Sequence, residues 1–157
     1  YGAWSLMLGA AWILVAGAGA SLRAFEAADA TGLRAAFLAW MPILGAAGVG
    51  QIFVGALTYL MPVVIGGGPS AVRVGVGVLE AGAPIREAAR NVAAVLALAV
   101  ASLGGTSAER LTIAAWVVLL ATYVVDIVLM ARCGVAQARA KRAAASSPTT
   151  TQGGRRG

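Results

Sequence analysis

The sequence predicts an all-α fold: a polytopic transmembrane helix bundle of about four spans, closed by a disordered basic C-terminal tail. Three observations predict it. Of 157 residues, 60% are hydrophobic and only 11% are charged, against about 25% charged in a soluble domain, and the mean hydropathy is +0.85. The charges cluster, which leaves neutral runs long enough to cross a hydrocarbon core of about 30 Å. Six of the twelve basic residues lie from Arg132 onward, the pattern of a positive-inside tail beside a last span. That placement argues for contact with anionic lipid headgroups and against a nucleic-acid surface. The chain starts at Tyr1 directly in apolar sequence with no basic leader region, so no cleavable signal is expected. This start reads as a piece of a longer reading frame.

The first span is expected over 2–21, uncharged, with Tyr1 and Trp4 at one end where amphipathic rings favour the interface. The connection that follows carries Arg23, Glu26, Asp29 and Arg34. Its Asp29-Ala-Thr-Gly32 stretch reads as a turn or N-cap. The next apolar run, 33–65, is too long for one simple span. At 1.5 Å per residue it would reach about 50 Å. Two readings fit: a tilted helix over 42–65 preceded by an interfacial turn holding Trp40, or a helix broken near Gly45, Gly48 and Gly50. The first is preferred.

Gly66-Gly-Gly-Pro69 should end this helix sharply, with Pro69 opening a short surface helix over 70–82. Pro84 opens the third span, 86–103, in the same way. In it Ala89, Ala93, Ala97, Ala101 and Gly105 recur every fourth residue, a spacing that lets two helices approach closely. Thr106-Ser-Ala-Glu109 fits a capping box ahead of the fourth span, 111–131. The transmembrane domain is therefore set at 1–133 and a low-complexity tail or linker at 134–157.

Orientation follows from basic residues. With the tail on the cytoplasmic side, its six join Arg73, Arg86 and Arg90 to make nine, against three (Arg23, Arg34, Arg110) opposite. The expected location is a multi-pass cell-membrane protein with its tail cytoplasmic.

Candidate functional positions are polar residues at membrane depth, which are costly and therefore face protein or a cavity. Gln51, Gly55, Thr58, Tyr59 and Pro62 fall at spacings of three and four, placing them along one helix face. The stripe reads as interhelical hydrogen bonding or as the lining of a cofactor or substrate cavity. Asp126 is the one acid deep in a span, with Thr122 one turn earlier on the same face. It reads either as a carboxylate paired with Arg90, Asn91 or Arg132, or as a proton or ion site. No residue is assigned a catalytic, cofactor-binding or metal role. The chain has no histidine, the commonest haem, copper and zinc ligand and the usual general base. The single Cys133 has no partner for an internal disulfide; it reads as an inert thiol rather than an acylation site. Gly66-Gly-Gly-Pro-Ser lacks the lysine and spacing of a phosphate loop. Gly17-Ala-Gly19 completes no dinucleotide fingerprint and reads as close packing.

The run Gln51-Ile-Phe-Val-Gly-Ala-Leu-Thr-Tyr-Leu-Met-Pro-Val-Val-Ile-Gly-Gly-Gly-Pro-Ser-Ala-Val-Arg73 resembles the membrane region of actinobacterial multicopper oxidases of the nitrite-reductase type. In these a polytopic helical domain precedes secreted cupredoxin domains. The helical part is in turn loosely similar to NnrS-like proteins and to haem–copper oxidase subunit I. The resemblance implies copper-dependent oxidation or nitrite reduction, with copper and haem held by sequence outside this segment. No catalytic residue carries over. The expected function is thus an anchoring and supporting helical region of such an enzyme. Its expected partners are the lipid bilayer and the further helices or cupredoxin domains of a longer chain, with no nucleic acid. A small-solute or ion transporter bundle and a non-catalytic membrane scaffold are the alternatives.

Overall fold

A computed structural model describes residues 2–101, 103 and 105–146, and every element in them is helical. In chain order these are α1 (Gly2–Phe25), α2 (Ala30–Pro42), a π-helical segment (Ile43–Gly50), α3 (Gln51–Ile65), α4 (Pro69–Glu80), α5 (Ala83–Ala101) and α6 (Thr106–Ser146). Three helices are long and apolar enough to cross a membrane: Gly2–Phe25, the continuous Ala30–Ile65 and Thr106–Ser146. The expected fourth span lies within α6, and the expected third, 86–103, corresponds to α5. α5 falls outside that group because Arg86, Glu87 and Arg90 crowd its first half, and all three are buried.

The boundaries follow local chemistry. Asp29 caps α2, its carboxylate accepting the Gly32 N–H at 2.7 Å, so one unpaired N–H of the first turn is satisfied. Gly66, Gly67 and Gly68 have φ of 67°, 107° and 86°. Three successive residues in the positive-φ region, accessible to glycine at little cost, turn the chain from α3 into α4, and Pro69 opens α4 at its first turn. Before α6 the N-cap differs from expectation. Gly105, with φ 87°, precedes the helix, and its carbonyl accepts the Glu109 N–H at 3.0 Å. Thr106 is therefore already the first helical residue.

Two expectations about helix length need correction. Trp40 does not sit in an interfacial turn before a helix starting at Pro42. Helix runs from Ala30 through Pro42 to Ile65, 36 residues or about 54 Å. Pro42 brings no N–H to the α ladder. The chain answers by widening into π turns over Ile43–Gly50 rather than by breaking, and Gly45, Gly48 and Gly50 lie in that segment. Nor does helix stop near Ala131. α6 continues across the expected domain boundary at 133/134 to Ser146, because Ala, Arg, Lys and Gln are all good helix formers. The remainder of the expected tail, 147–157, lies outside the described residues.

The helices pack in two groups. α1 lies along α2, the π segment and α3; α6 carries both α4 and α5 and also meets α3. The α1–α3 contact is very close. A Cβ on Gly9 would stand 2.7 Å from Ile52 Cγ1 and 2.9 Å from the Gly48 carbonyl oxygen, and one on Gly55 would stand 3.0 Å from the Gly2 carbonyl oxygen. Glycine is required here to let two backbones touch. Of the Gly17–Gly19 pair, Gly19 is the packed one: its Cβ would fall inside the Trp40 ring, whereas Gly17 faces open space. The four-residue ladder of α5 is used in its middle only. Ala93 and Ala97 are buried, Ala89 is half-buried and Ala101 is exposed.

The distribution of polarity is the reverse of a soluble protein's. Ser5, Gln51, Thr58, Arg86, Glu87, Arg90, Thr122, Asp126 and Gln137 are buried, while Leu14, Phe53, Val64, Val117 and Ile127 are more than half exposed.

Candidate functional site: a buried polar network

The network is built on α5, where Arg86, Glu87, Arg90 and Asn91 follow the i, i+1, i+4, i+5 spacing that keeps all four toward one side of a helix. Arg90 is fully buried. Its Nη2 donates to Asp126 Oδ2, and its Nε donates to Thr122 Oγ1 at 3.1 Å. The Thr122 hydroxyl then donates to the Leu119 carbonyl at 2.6 Å. The guanidinium carbon stands 4.3 Å from the Tyr123 ring centroid, a cation–π contact that strengthens away from water. Arg86 Nε donates to Asp126 Oδ1 at 2.8 Å. The same guanidinium donates to the carbonyls of Leu79, at 2.7 Å, and Ala81. Those carbonyls belong to the end of α4, where no further turn exists to accept from, and a cation is favoured there by the helix dipole.

Glu87 points the other way, toward α1 and α3. It accepts from Gln51 Nε2 and from the Ser5 hydroxyl at 3.2 Å, and its Oε2 lies 3.8 Å from Arg90 Nη1. Asn91 accepts the Trp12 indole N–H at 2.7 Å and donates to the Glu87 carbonyl at 2.8 Å. Two guanidiniums and two carboxylates thus form a set whose formal charges cancel. Cancellation matters because an unpaired buried ion costs several kcal/mol, of order 3–5 when one partner is removed.

Tyr123 ties this network to the π segment. Its hydroxyl donates to the Ala46 carbonyl and lies where a Cβ on Gly50 would approach to 3.1 Å. A glycine at 50 leaves room for the phenol beside the widened turns.

The polar positions singled out in the sequence separate clearly. Gln51 is an interhelical donor to Glu87. Thr58 is buried, and its hydroxyl donates to the Val54 carbonyl of its own helix at 2.8 Å rather than across helices. Tyr59 leaves the stripe altogether and is 72% exposed. At 100° per residue it lies about 80° around the helix from Gln51, whereas Thr58 and Pro62 lie within about 20° of it. Asp126 meets Arg90, as one reading expected. Its second partner is Arg86, and the exposed Arg132 is no part of the pair. Arg86 and Arg90 had been counted as charges of the loop between spans; they are instead partners inside the bundle. Sequence reasoning also missed Ser5, Trp12, Glu87 and Tyr123. For Glu87 a signal existed, since an acid between Arg86 and Arg90 on one helical side is a ready-made counter-ion.

A second polar clamp lies further along α6. Gln137 Nε2 donates to the Pro62 carbonyl at 3.0 Å and to the Ala71 carbonyl at 3.3 Å. It is admitted by Gly75, where a Cβ would stand 2.6 Å from that nitrogen. The buried Cys133 thiol lies one turn earlier, 3.9 Å from Gln137 Oε1. The Gln137→Leu variant is expected to free α4 from the end of α3, lowering stability by about 1–2 kcal/mol. Hydrogen exchange should quicken across residues 66–80, while exchange in α1 stays as in the parent.

Side chains bridge α1 and α5, Ser5 to Glu87 and Trp12 to Asn91. Between them a cleft of about 590 Å³ remains, walled by Trp4, Pro84 and Ala88 and bearing Glu80, Glu87 and Asn91. Among the described residues no three of His, Cys, Asp and Glu come together as a metal site. The donor set does not suit copper: there is no histidine, and the one thiol is packed against an amide. Comparison of the chain with protein-family models, with curated proteins and with solved structures finds no match.

Proposed function

We propose that the chain is a membrane-embedded helical unit, internally braced by ion pairs, which anchors and supports a larger assembly. The observation that carries this reading is the inverted polarity. Large apolar side chains of α1, α3 and α6 point outward, and the deep charges are paired within. Lipid accepts such an outer face, and internal pairing lowers the cost of charge at membrane depth. The three long apolar helices and α5 would supply the four spans. The exposed Arg73, Arg132, Arg139, Lys141 and Arg142 would lie on the cytoplasmic side by the positive-inside tendency.

The resemblance around Gln51 to Arg73 extends this to a specific role, the anchoring and supporting region of a copper-dependent oxidase or nitrite reductase. Copper and haem would then be bound by domains outside this chain. What supports a bracing rather than a transporting role is the engagement of both buried acids. Each carboxylate is held by at least two donors. Transport remains the rival, on the strength of the cleft beside Glu87.

The test is direct. Membranes containing the chain should retain it through alkaline carbonate, and proteoliposomes should show no ion or solute flux above that of empty vesicles. Flux abolished by Gln51→Leu, with the melting temperature unchanged, would replace the anchor with a transporter. Flanking reading frame without His/Cys cupredoxin clusters would remove the oxidase half and leave a scaffold.

A further inference from the structure

We infer that the cleft between α1 and α5 is a binding site for an ammonium group carried on an apolar body. The cleft is the one that keeps the transport alternative open, and its ligand chemistry is the same whether the bundle anchors or transports. The first argument is hydrogen-bonding inventory. Glu80, Glu87 and Asn91 line the cleft, and no basic residue does. Asn91 Oδ1 is an acceptor already serving Trp12, and its amide nitrogen is turned to the Glu87 carbonyl. Immediately behind Glu87, the fully buried Gln51 gives its Nε2 to that carboxylate, which leaves Gln51 Oε1 buried without a donor. The amide cannot be turned around to cure this, because Oε1 would then face a carboxylate. The polar lining of the cleft is thus two acids and an amide whose nitrogen is already engaged, and the buried amide behind Glu87 leaves an acceptor unmet, which is costly.

The second argument is charge. Arg86, Arg90, Glu87 and Asp126 sum to zero, so Glu80 leaves the cleft with one negative charge in excess. A single cation balances it, and Trp4, one of the lining residues, is the side-chain type that best attracts a cation. The third argument is size and walls. A volume of about 590 Å³ falls within the range of about 300–1,000 Å³ typical of small-ligand pockets. The walls of Trp4, Pro84 and Ala88 are apolar. An ammonium with N–H donors and a hydrophobic body satisfies all three; an anion fails on charge, and a neutral sugar, though it has donors, fails on charge and on the apolar walls. Such a group is found on free lipophilic amines and on the headgroup of an ethanolamine phospholipid.

The test uses the full chain in phosphatidylcholine nanodiscs, whose headgroups carry no N–H, with 2-phenylethylammonium as the probe and tryptophan fluorescence as the signal. Saturable binding at least roughly tenfold tighter than for neutral 2-phenylethanol is expected, as for a charge-assisted hydrogen bond. Ala88→Leu fills the cleft from an exposed position and should abolish binding. Glu80→Gln should weaken it roughly tenfold, and both variants should melt as the parent does. Adding phosphatidylethanolamine to the discs separates the sources: competition identifies the lipid headgroup as occupant, and its absence identifies a free amine. Equal affinity for the alcohol, or undiminished binding by Ala88→Leu, overturns the assignment.

Discussion

Asp126→Asn should destabilise the bundle by about 3–5 kcal/mol, the largest single-residue effect expected. The carboxylate is 3% exposed and is held by both Arg86 and Arg90. An asparagine keeps the shape but removes the charge, so the set then holds two guanidiniums against the single carboxylate of Glu87. The consequences spread, because each arginine has further duties. Arg86 holds the end carbonyls of α4, and Arg90 holds Thr122 and lies over Tyr123. A melt followed by helical ellipticity in detergent should show the loss. The decisive measurement is the double-mutant cycle with Arg86→Gln. Groups in one network couple by about 0.5–3 kcal/mol, so the double variant should lose clearly less than the sum of the two singles. Strict additivity would mean that the pair contributes nothing to folding.

The second large effect is expected at Gly9. Gly9→Val places a branched side chain where even one carbon would stand 2.9 Å from the Gly48 carbonyl oxygen and 3.0 Å from the Ile52 nitrogen. Those are backbone atoms and do not swing aside as a rotamer does. The helices must separate, with a cost of about 3 kcal/mol or more. Separation of α1 from α3 also pulls Ser5 and Trp12 from Glu87 and Asn91, so the polar network loses two of its donors. Gly17→Val is the control. It faces open space and should cost no more than a surface substitution, about 0.5 kcal/mol. Equal melting temperatures for the two variants would show that the α1–α3 contact is not made.

The comparison of Gly9 with Gly17 shows how far a sequence can be read here. Both are glycines in one apolar helix, and spacing alone does not separate them; the position of α3 does. The same holds for the stripe after Gln51. Periodicity correctly placed Gln51, Thr58 and Pro62 together, since helical geometry is local. It could not assign partners. Thr58 turned to its own backbone, and Tyr59, at the edge of the arc, turned outward. The long run from Leu33 was legible as helix, yet its continuity depended on Pro42 being absorbed by π turns. A tyrosine from α6, far along the chain, supplies a donor to those turns.

The sequence by itself determined the all-helical class, the apolar lengths, the glycine break at Gly66–Gly68 and the cap at Asp29. These follow from composition, from the 3.6-residue period and from backbone sterics, all of which act over a few residues. Tertiary structure alone decided which of the candidate partners meets Asp126, and that Arg86 joins Arg90 as its counter-ion. It alone decided that Glu87 gathers Ser5, Gln51 and Asn91, and that a cleft lined by Glu80, Glu87 and Asn91 stays open between α1 and α5. The physical reason is range. A buried charge has no preferred partner in sequence, and the cost of leaving it unpaired is met only by whichever opposite charge the packing of distant helices brings within reach.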